Sequence, residues 1–235
     1  MGKTLSDSDN RFLLMAISTD YDDWSNTYDF DRNRTRDLDR TALQETFAAA
    51  RFDIIVELGC GTGKNSTFLS TRAQQLLALD FSVGMLEKAR KKVTIDHVSF
   101  VEADLTRKWP VESGFADLVT ANLVLEHIRD LTAIFCEAAQ CLKSGGLFYV
   151  SELHPVQQYA GKQAVFSRGD TVRRIPAFIH HISDYMDAAS TAGLQLRNLR
   201  EWWNQGDSKH AAPRLISFLF ARTDDVKRNK GLFSA

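Results

Sequence analysis

Short runs of apolar, often β-branched residues alternate along the chain with segments in which apolar positions recur at helical spacing. The alternation begins at Ile54-Ile55-Val56 and continues to about residue 221. Strands of a parallel sheet are continuous apolar runs, and helices of about 10–15 residues connect them. The pattern therefore predicts an α/β fold with a doubly wound, mostly parallel sheet. The predicted strands cover residues 53–58, 75–80, 98–104, 115–123, 147–153, 194–203 and 215–221, and the predicted helices cover 66–72, 82–92, 131–143 and 179–192.

The first 50 residues do not follow this alternation. Residues 1–16 predict a tail or a short helix, and residues 41–50 predict a helix. Tyr21, Trp24 and Tyr28 recur at helical spacing, which fits either an aromatic face packed on the core or a lid over a ligand. We expect an N-terminal helical lid over residues 1–50, a central domain over 51–222 with a substrate-side insertion at 154–178, and a C-terminal tail over 223–235.

A glycine-rich turn, Glu57-Leu58-Gly59-Cys60-Gly61-Thr62-Gly63, follows the first predicted strand. Glycine allows positive φ and a close approach of a ligand to the backbone. The helix that follows would offer its N-terminal N–H groups to an anion. The spacing differs from that of a phosphate-binding P-loop, which would need glycine in place of Leu58. It also differs from the dinucleotide fingerprint, which would need glycine in place of Lys64. The turn predicts a nucleotide-like ligand that carries a negatively charged group.

Polar residues stand at the carboxyl ends of the predicted strands. They are Glu57, Asp80, Asp104, Asn122 and His154. In doubly wound sheets ligands bind outside these strand ends. Five polar residues in equivalent positions therefore predict a binding site at this edge of the sheet more strongly than the glycines alone.

Composition narrows the function. The chain has 235 residues, 44% of them hydrophobic, so one domain with a full core is expected. Its formal net charge is −1, so tight binding to nucleic acid is not expected. No apolar run approaches the ~20 residues of a membrane span, and the N-terminus lacks a signal-peptide pattern. Three cysteines without a C-x-x-C pair suggest reduced thiols and a cytoplasmic location. The histidines show no metal-binding spacing, so no metal is predicted.

The E-x-G-x-G-x-G turn, with an acid at the end of each of the next two strands, resembles the class I S-adenosylmethionine-dependent methyltransferases. Over about residues 20–221 the chain is similar to their small-molecule group sometimes called type 11. The resemblance implies a Rossmann-like sheet of seven strands with the last strand antiparallel. It also implies S-adenosylmethionine as cofactor, S-adenosylhomocysteine as product and a segment around Tyr21 and Tyr28 that closes over the cofactor.

The resemblance further implies individual roles. Asp80 would accept hydrogen bonds from both ribose hydroxyls, a role that suits a carboxylate because such bonds are strong. Asp104 would accept the adenine amino group, and Asn122 would meet the methionine moiety. The alternative is that Asp80 and Asp104 are helix caps or solvated strand ends. The predicted cofactor-binding residues are Tyr21, Tyr28, Glu57, Gly59, Cys60, Gly61, Gly63, Asp80, Phe81, Ala103, Asp104, Leu105, Asn122 and Leu123.

Two histidines are candidates for a general base. His154, just past the fifth predicted strand, is the first choice, and His127, in the sequence Leu125-Glu126-His127-Ile128, is the second. The alternative is that both only shape the pocket.

The acceptor is less visible in the sequence. Asn122-Leu123-Val124-Leu125 replaces the N/D-P-P-Y-type motif of nucleic-acid amino methyltransferases, and no Pro-Cys nucleophile is present, so we expect a small-molecule acceptor methylated at O, N or C. The alternatives are a non-catalytic S-adenosylmethionine-binding protein and an RNA or protein methyltransferase. A monomer or a homodimer is expected. Several aromatic residues and arginines could shape the acceptor pocket; the alternative is that the arginines are solvated and the tryptophans lie in the core. These residues are Tyr159, Phe166, Arg168, Arg173, Arg174, Trp202, Trp203 and Arg214.

Overall fold

The computed structural model describes residues 7–168, 171–208 and 210–223, without the side chains of residues 7–11, 167 and 168. These ranges contain a seven-stranded sheet, helices and a separate two-stranded hairpin. The helices are α1 (Asp7–Trp24), α2 (Arg34–Thr46), α3 (Ser66–Leu69), α4 (Val83–Lys92), α5 (Leu131–Cys141), α6 (Pro155–Tyr159) and α7 (Ile182–Thr191), and a 3-10 turn spans Leu125–His127. The strands are β1 (Phe52–Leu58), β2 (Ala73–Asp80), β3 (Val98–Glu102), β4 (Ala116–Asn122), β5 (Leu142–Leu153), β6 (Val165–Arg168), β7 (Thr171–Arg174), β8 (Leu194–Trp202) and β9 (Leu215–Arg222).

The strand order across the sheet is β3-β2-β1-β4-β5-β9-β8. Strands β1 to β5 pair in parallel, whereas β9 is antiparallel to both β5 and β8. The predicted seven-stranded, mostly parallel sheet with an antiparallel last strand is therefore confirmed. The order reverses between β1 and β4, and a reversal of this kind opens a ligand-binding crevice at the carboxyl ends of the two strands.

Side chains that alternate along the central strands divide the core between the two faces of the sheet. Ile55 belongs to a cluster with Leu43 of α2 and with Phe47, which follows that helix. Its neighbour Val56 belongs to the larger cluster that includes Phe135 of α5 and Tyr185 of α7. Helices on both faces bury the apolar runs completely, which is why the central strands lack a polar face.

The N-terminal helices differ from the prediction. α1 continues to Trp24 instead of ending near residue 16. α2 begins at Arg34 instead of residue 41, because the Asn33 side chain accepts hydrogen bonds from the N–H groups of Thr35 and Arg36 and so caps the helix. The alternating charges of this segment concealed the cap.

Several other boundaries moved. β3 ends at Glu102 rather than at residue 104, so Asp104 lies just past the strand. The helix after the glycine turn ends at Leu69, not at residue 72, because Thr71 and Arg72 already donate to the carbonyls of Phe68 and Leu69 three residues back. A four-residue helix has a small dipole, so it offers an anion less than the predicted seven-residue helix would. α7 begins at Ile182 rather than 179, because the Asp184 carboxylate accepts the His181 N–H in a capping box. β5 begins at Leu142 rather than at residue 147, and so includes Gly145 and Gly146.

The insertion predicted over residues 154–178 contains the short helix α6 and the hairpin of β6 and β7. Phe166 of the hairpin stacks on Trp24 of α1 with ring centroids 5.3 Å apart, in a cluster that also buries Ile17 and Ile175. The aromatic face of α1 therefore packs mainly against the insertion. The division into lid, central domain and tail stays a prediction, and the tail after residue 223 lies outside the described residues. None of the helices among the described residues is long and apolar enough to cross a membrane.

Candidate functional site

A cavity lies at the carboxyl ends of β1, β2 and β4, where the strand order reverses. Residues of α1, the glycine turn, the strand ends and the 3-10 turn face it. The lining residues are Leu14, Tyr21, Tyr28, Gly59, Gly61, Asp80, Phe81, Met85, Asp104, Leu105, Thr106, Asn122, Leu123, Val124, His127 and Ile128. We call it the strand-end cavity.

Asp80 ties the end of β2 to the glycine turn. Its Oδ2 accepts a hydrogen bond from the Gly61 N–H at 2.7 Å, and its Oδ1 accepts one from the Ser82 N–H at 2.9 Å. Burial raises the pKa of this carboxyl to about 6, although the backbone donors oppose the shift. Each carboxylate oxygen can accept a second hydrogen bond, so Asp80 can still receive two donors from a ligand.

The glycines of the turn serve different purposes. Gly59, Gly61 and Gly63 all have positive φ, at 65°, 52° and 77°. A Cβ on Gly59 would lie 2.5 Å from Cγ2 of Val124, so the close approach of β1 to the segment after β4 requires glycine there. A Cβ on Gly61 would meet no atom within 4 Å. Because Gly61 lines the cavity, a side chain there would occupy space available to a ligand.

Buried acids stand behind the turn. Glu57 is 3% exposed and accepts the Ser66 hydroxyl at 2.5 Å. Burial raises its pKa to about 8, and the nearby charges of Asp80 and Asp39 act in the same direction. The Glu57 carboxyl therefore holds its proton over most of the neutral range and supports the turn from below.

Asp39 of α2, which the sequence did not single out, fixes two amides. Its Oδ1 accepts from the Asn122 Nδ2 at 2.7 Å, and its Oδ2 accepts from the Asn65 Nδ2 at 2.9 Å. The Asn122 Oδ1 is buried and has no hydrogen-bond donor among the described residues. Asn122 also lines the cavity, and the hydrogen-bonding capacity of this oxygen is unmet by the described residues.

Asp104 both closes a turn and lines the cavity. Its Oδ1 accepts hydrogen bonds from the Thr106 N–H at 2.9 Å and the Thr106 hydroxyl at 2.6 Å. Its Oδ2 lies 3.3 Å from the Arg107 Nε. Asp80 makes the same kind of bond to the residue two positions on, so both strand-end aspartates cap local structure while facing the cavity.

Tyr21 and His127 form a pair on the cavity wall. The Tyr21 hydroxyl lies 2.8 Å from Nε2 of His127, and Nδ1 of the same ring lies 2.8 Å from the Pro176 carbonyl. A carbonyl can only accept, so Nδ1 carries the proton and Nε2 accepts the hydrogen bond of the phenol. Burial, with the nearby charges of Tyr28 and Glu126, raises the pKa of Tyr21 well above its ordinary value. Tyr21 therefore remains a protonated donor.

Comparison with known proteins places the chain in a family. The family model described as "Methyltransferase domain" matches residues 56–150. A ubiquinone biosynthesis O-methyltransferase from Xanthomonas euvesicatoria pv. vesicatoria (strain 85-10) is 32% identical over 174 residues, which are 69% of this chain and 70% of that protein. The chain belongs to the class I S-adenosylmethionine-dependent methyltransferases.

Two further similarities agree. A malonyl-(acyl-carrier protein) O-methyltransferase from Xylella fastidiosa (strain M23) is 33% identical over 128 residues, 53% of this chain and 43% of that protein. A crystal structure of an S-adenosylmethionine-dependent methyltransferase from Mesorhizobium loti superposes with a TM-score of 0.66 at 20% identity, covering 77% of this chain and 96% of that one. The chain spans less than two thirds of the first curated relatives it matches, between 43% and 65% of their length.

The residues present fit the family's cofactor. S-adenosylmethionine has ribose hydroxyls, an amino group and a positively charged sulfonium, all of which suit acceptors and acids. The cavity supplies the free lone pairs of Asp80 and the unpartnered Oδ1 of Asn122. Gly61 leaves the space that a Cβ would fill. The family cofactor is thus compatible with this chain's own geometry.

Most of the predicted cofactor residues meet in the cavity. Those that line it are Tyr21, Tyr28, Gly59, Gly61, Asp80, Phe81, Asp104, Leu105, Asn122 and Leu123. Glu57, Cys60, Gly63 and Ala103 are buried or packed behind the lining instead, and Gly63 lies against Ala89 of α4. The roles of all these residues in binding stay predictions. Their common placement follows from the parallel register of β1, β2 and β4.

The two candidate bases occupy different places. His127 lines the cavity, whereas His154 does not. His154 Nδ1 accepts the Val156 N–H at 3.1 Å and so caps α6, and its Nε2 lies 3.1 Å from the Glu201 carboxylate. Burial lowers the pKa of His154, and the contact with Glu201 opposes that shift. Both ring nitrogens of His154 are therefore occupied by structural contacts outside the cavity.

Several lining residues were not predicted. Met85 of α4 and Leu14 of α1 supply apolar walls, and Val124 and Ile128 follow β4. Apolar residues on helices resemble ordinary core positions, so the sequence offers no signal for them. Among the described residues no group of three His, Cys, Asp or Glu side chains could hold a metal ion. The three cysteines are unpaired, and only Cys136 is exposed.

Proposed function

We propose that this protein transfers the methyl group of S-adenosylmethionine to a small-molecule acceptor. The observation that carries the proposal is one cavity in which Asp80, Asp104 and Asn122 from neighbouring strand ends face Gly61. The curated relatives named above are O-methyltransferases, so oxygen is the first acceptor atom to test, with nitrogen and carbon as the alternatives. Action in the cytoplasm, as a monomer or homodimer, stays a prediction.

The main task of the chain is to hold the reactants in place. When bound, S-adenosylmethionine supplies an electrophilic methyl group on a positively charged sulfur. Tyr21 and Tyr28 line the cavity and would exclude water from it, and Asp80 and Asn122 would hold the cofactor through hydrogen bonds. Positioning of two reactants can supply about 7–11 kcal/mol of the barrier.

His127 is the side chain best placed to receive a proton from the acceptor. Its Nε2 carries no proton and already accepts the Tyr21 phenol. An acceptor hydroxyl could replace Tyr21 at Nε2, or donate to Tyr21 as the phenol passes its proton to His127. A general base adds about 10²–10⁴-fold, and only when the methylated atom must lose a proton. His154 remains the alternative, although its ring nitrogens are engaged elsewhere.

The test has a binding arm and a turnover arm. Calorimetry should detect S-adenosylmethionine and S-adenosylhomocysteine in preference to NAD and ATP. Incubation of the protein with a methyl-labelled donor and a cytoplasmic metabolite extract should then yield a labelled small molecule that mass spectrometry can identify. Preferential binding of NAD would refute the proposal, and cofactor binding without any labelled product would favour a non-catalytic binding protein.

A further inference from the structure

A second cavity adjoins the strand-end cavity, and the two share Tyr21, Tyr28 and Leu123 in their linings. Its remaining residues come from the end of α1, the connection to α2, the first turn of α2, the 3-10 turn, the end of β5, the insertion and the segment before β9. We call it the basic cavity, because five cationic side chains line it. They are Arg32, Arg34, Arg36, Lys162 and Arg214.

The basic cavity is exceptional in a chain with a net charge of −1. Glu126 is the one acidic residue in its lining among the described residues. Glu126 is 6% exposed, and burial raises its pKa and so disfavours its charged form. Cations of one sign around a concave site concentrate their field on whatever enters it.

Several cations elsewhere in the molecule have a carboxylate partner, whereas others, such as Lys88 and Arg90, donate to neutral oxygens. Lys64, Lys92 and Lys143 each lie 2.6–2.8 Å from an aspartate. In the basic cavity only Arg34 has such a partner, Asp207 at 3.5 Å, and its side chain is 65% exposed. Among the described residues no carboxylate lies within 4.0 Å of the other four cations. Asp207 also interacts electrostatically with Arg214, and Asp29 with Arg36. Close ion pairs among the described residues therefore compensate the positive charge of the basic cavity only in part.

The five cations differ in how far hydrogen bonds within the protein already engage them. Arg36 is buried, donates to the carbonyls of Tyr28 and Asp31, and lies 3.8 Å from the centre of the Tyr28 ring. Arg214 is half-buried, and its Nη1 donates to the Thr35 hydroxyl while its buried Nε has no acceptor. Lys162 and Arg32 are exposed at the rim. Arg214, Lys162 and Arg32 can therefore receive a ligand.

We propose that the methyl acceptor binds in the basic cavity through an anionic group, a carboxylate or a phosphate. This inference rests on the proposed function. The anion contacts Arg214 with support from Lys162 and Arg32, and the rest of the acceptor extends towards the shared wall of Tyr21, Tyr28 and Leu123. The reacting atom then faces the strand-end cavity beside His127. An arginine fork suits either anion because it can donate two parallel hydrogen bonds to the oxygens.

The experiment uses the full chain saturated with S-adenosylhomocysteine. Benzoate, phenyl phosphate and the neutral benzamide are titrated by calorimetry against the wild type and the variants Arg214→Gln and Lys162→Gln. Arg51→Gln is the matched control, because Arg51 is exposed before β1 at the opposite edge of the sheet and donates to its neighbour Ala50. We expect one or both anions to bind and benzamide not to bind. Affinity for the anion should fall about tenfold in Arg214→Gln, about threefold in Lys162→Gln and not at all in Arg51→Gln.

The outcomes separate the two proposals. Tighter binding of benzoate or of phenyl phosphate identifies the acceptor's anion. The inference is overturned if benzamide binds as tightly as the anions, or if the variants and the control lose affinity equally. In either case, binding of S-adenosylhomocysteine leaves the proposed function intact. Failure of the wild type to bind S-adenosylhomocysteine counts against the proposed function instead. If Arg214→Gln does not fold, Lys162→Gln and Arg32→Gln decide the result, since both side chains are exposed and have no carboxylate within 4.0 Å among the described residues.

Discussion

The two adjoining cavities differ in charge and in how the chain builds them. The strand-end cavity collects acids and amides from positions that the sheet places side by side, such as Asp80 and Asn122. The basic cavity collects cations from segments far apart in the sequence, such as Arg32 and Arg214. A positively charged cofactor suits the first cavity and an anionic acceptor suits the second. Asp80 and Asn122 lie within residues 56–150, which match the family model, whereas the five cations of the basic cavity lie outside that range.

We expect the largest effect on kcat from replacement of His127, which contacts Tyr21 on the wall between the cavities. His127→Asn keeps a donor for the Pro176 carbonyl but lacks the Nε2 that faces Tyr21. For an acceptor that must lose a proton, kcat should fall about 10²–10⁴-fold, while affinity for S-adenosylhomocysteine and for an anionic probe changes little. His154→Asn is the matched control and should keep most of the kcat and the pH dependence of the wild type. If His154→Asn instead loses kcat and changes the pH–rate profile while His127→Asn keeps both, His154 is the base.

The glycine turn should separate cofactor binding from folding. A valine at Gly61 would enter the strand-end cavity, so Gly61→Val should weaken S-adenosylhomocysteine binding up to about a hundredfold. Gly59→Ala should mainly lower thermal stability, because its Cβ would clash with Val124. Calorimetry and thermal denaturation of both variants measure the difference. Equal losses of affinity and stability in the two variants would contradict the separate roles.

Replacement of Asp80 should weaken ligand binding only in the strand-end cavity. Loss of a charge-assisted hydrogen bond costs about 1.5–3 kcal/mol, so Asp80→Ala should bind S-adenosylhomocysteine about ten- to a hundredfold more weakly. Asp53→Ala is the control, since that exposed carboxylate at the start of β1 accepts only from Gln74 among the contacts described. Binding of benzoate or phenyl phosphate should be unchanged in both. Unaltered cofactor affinity in a folded Asp80→Ala protein would exclude Asp80 as the ribose ligand.

The smallest effect concerns stability against pH. The pKa of Glu57 in the folded protein, about 8, lies above its ordinary value of 4.5. The folded state therefore holds a proton that the unfolded state releases, so this contribution to stability is complete below pH 4.5 and is lost as the pH rises through 8. Glu57→Gln mimics the protonated form and should lose less stability than the wild type between pH 5 and 8. We expect the difference in Tm between the two proteins to widen steadily from pH 5 to pH 8; parallel curves of Tm against pH for the two proteins would disprove it.

The fold was predictable because its signals are local. Apolar runs such as Ile54-Ile55-Val56 mark central strands, and the strand ends then follow from the register. Asp80, Asp104 and Asn122 consequently meet in one cavity as the sequence led us to expect. His154 also follows a strand, but its ring caps α6 and contacts Glu201, and no sequence pattern announces those contacts.

The basic cavity could be predicted only in part. Arg214 was among the arginines considered for the acceptor, but Arg173 and Arg174 are exposed on β7 and do not line the cavity. Arg32 and Lys162 gave no signal, because an isolated exposed cation resembles any solvated residue. Their convergence depends on α1 packing against the insertion through Trp24 and Phe166, a contact between segments about 140 residues apart in the sequence.

The bonds of Asp39 have a consequence for protein engineering. Asp39 holds Asn122 and Asn65 on the cofactor side, and it belongs to the same helix, α2, whose first turn carries Arg34 and Arg36 on the acceptor side. Each residue inserted or deleted in this helix would rotate the later positions by about 100° relative to the first turn and so disturb both sites together. Libraries that aim to change acceptor preference should therefore leave α2 intact. Diversification is better directed to the surroundings of Lys162, because Arg214 donates to Thr35 in the first turn of α2 and is therefore tied to the same helix.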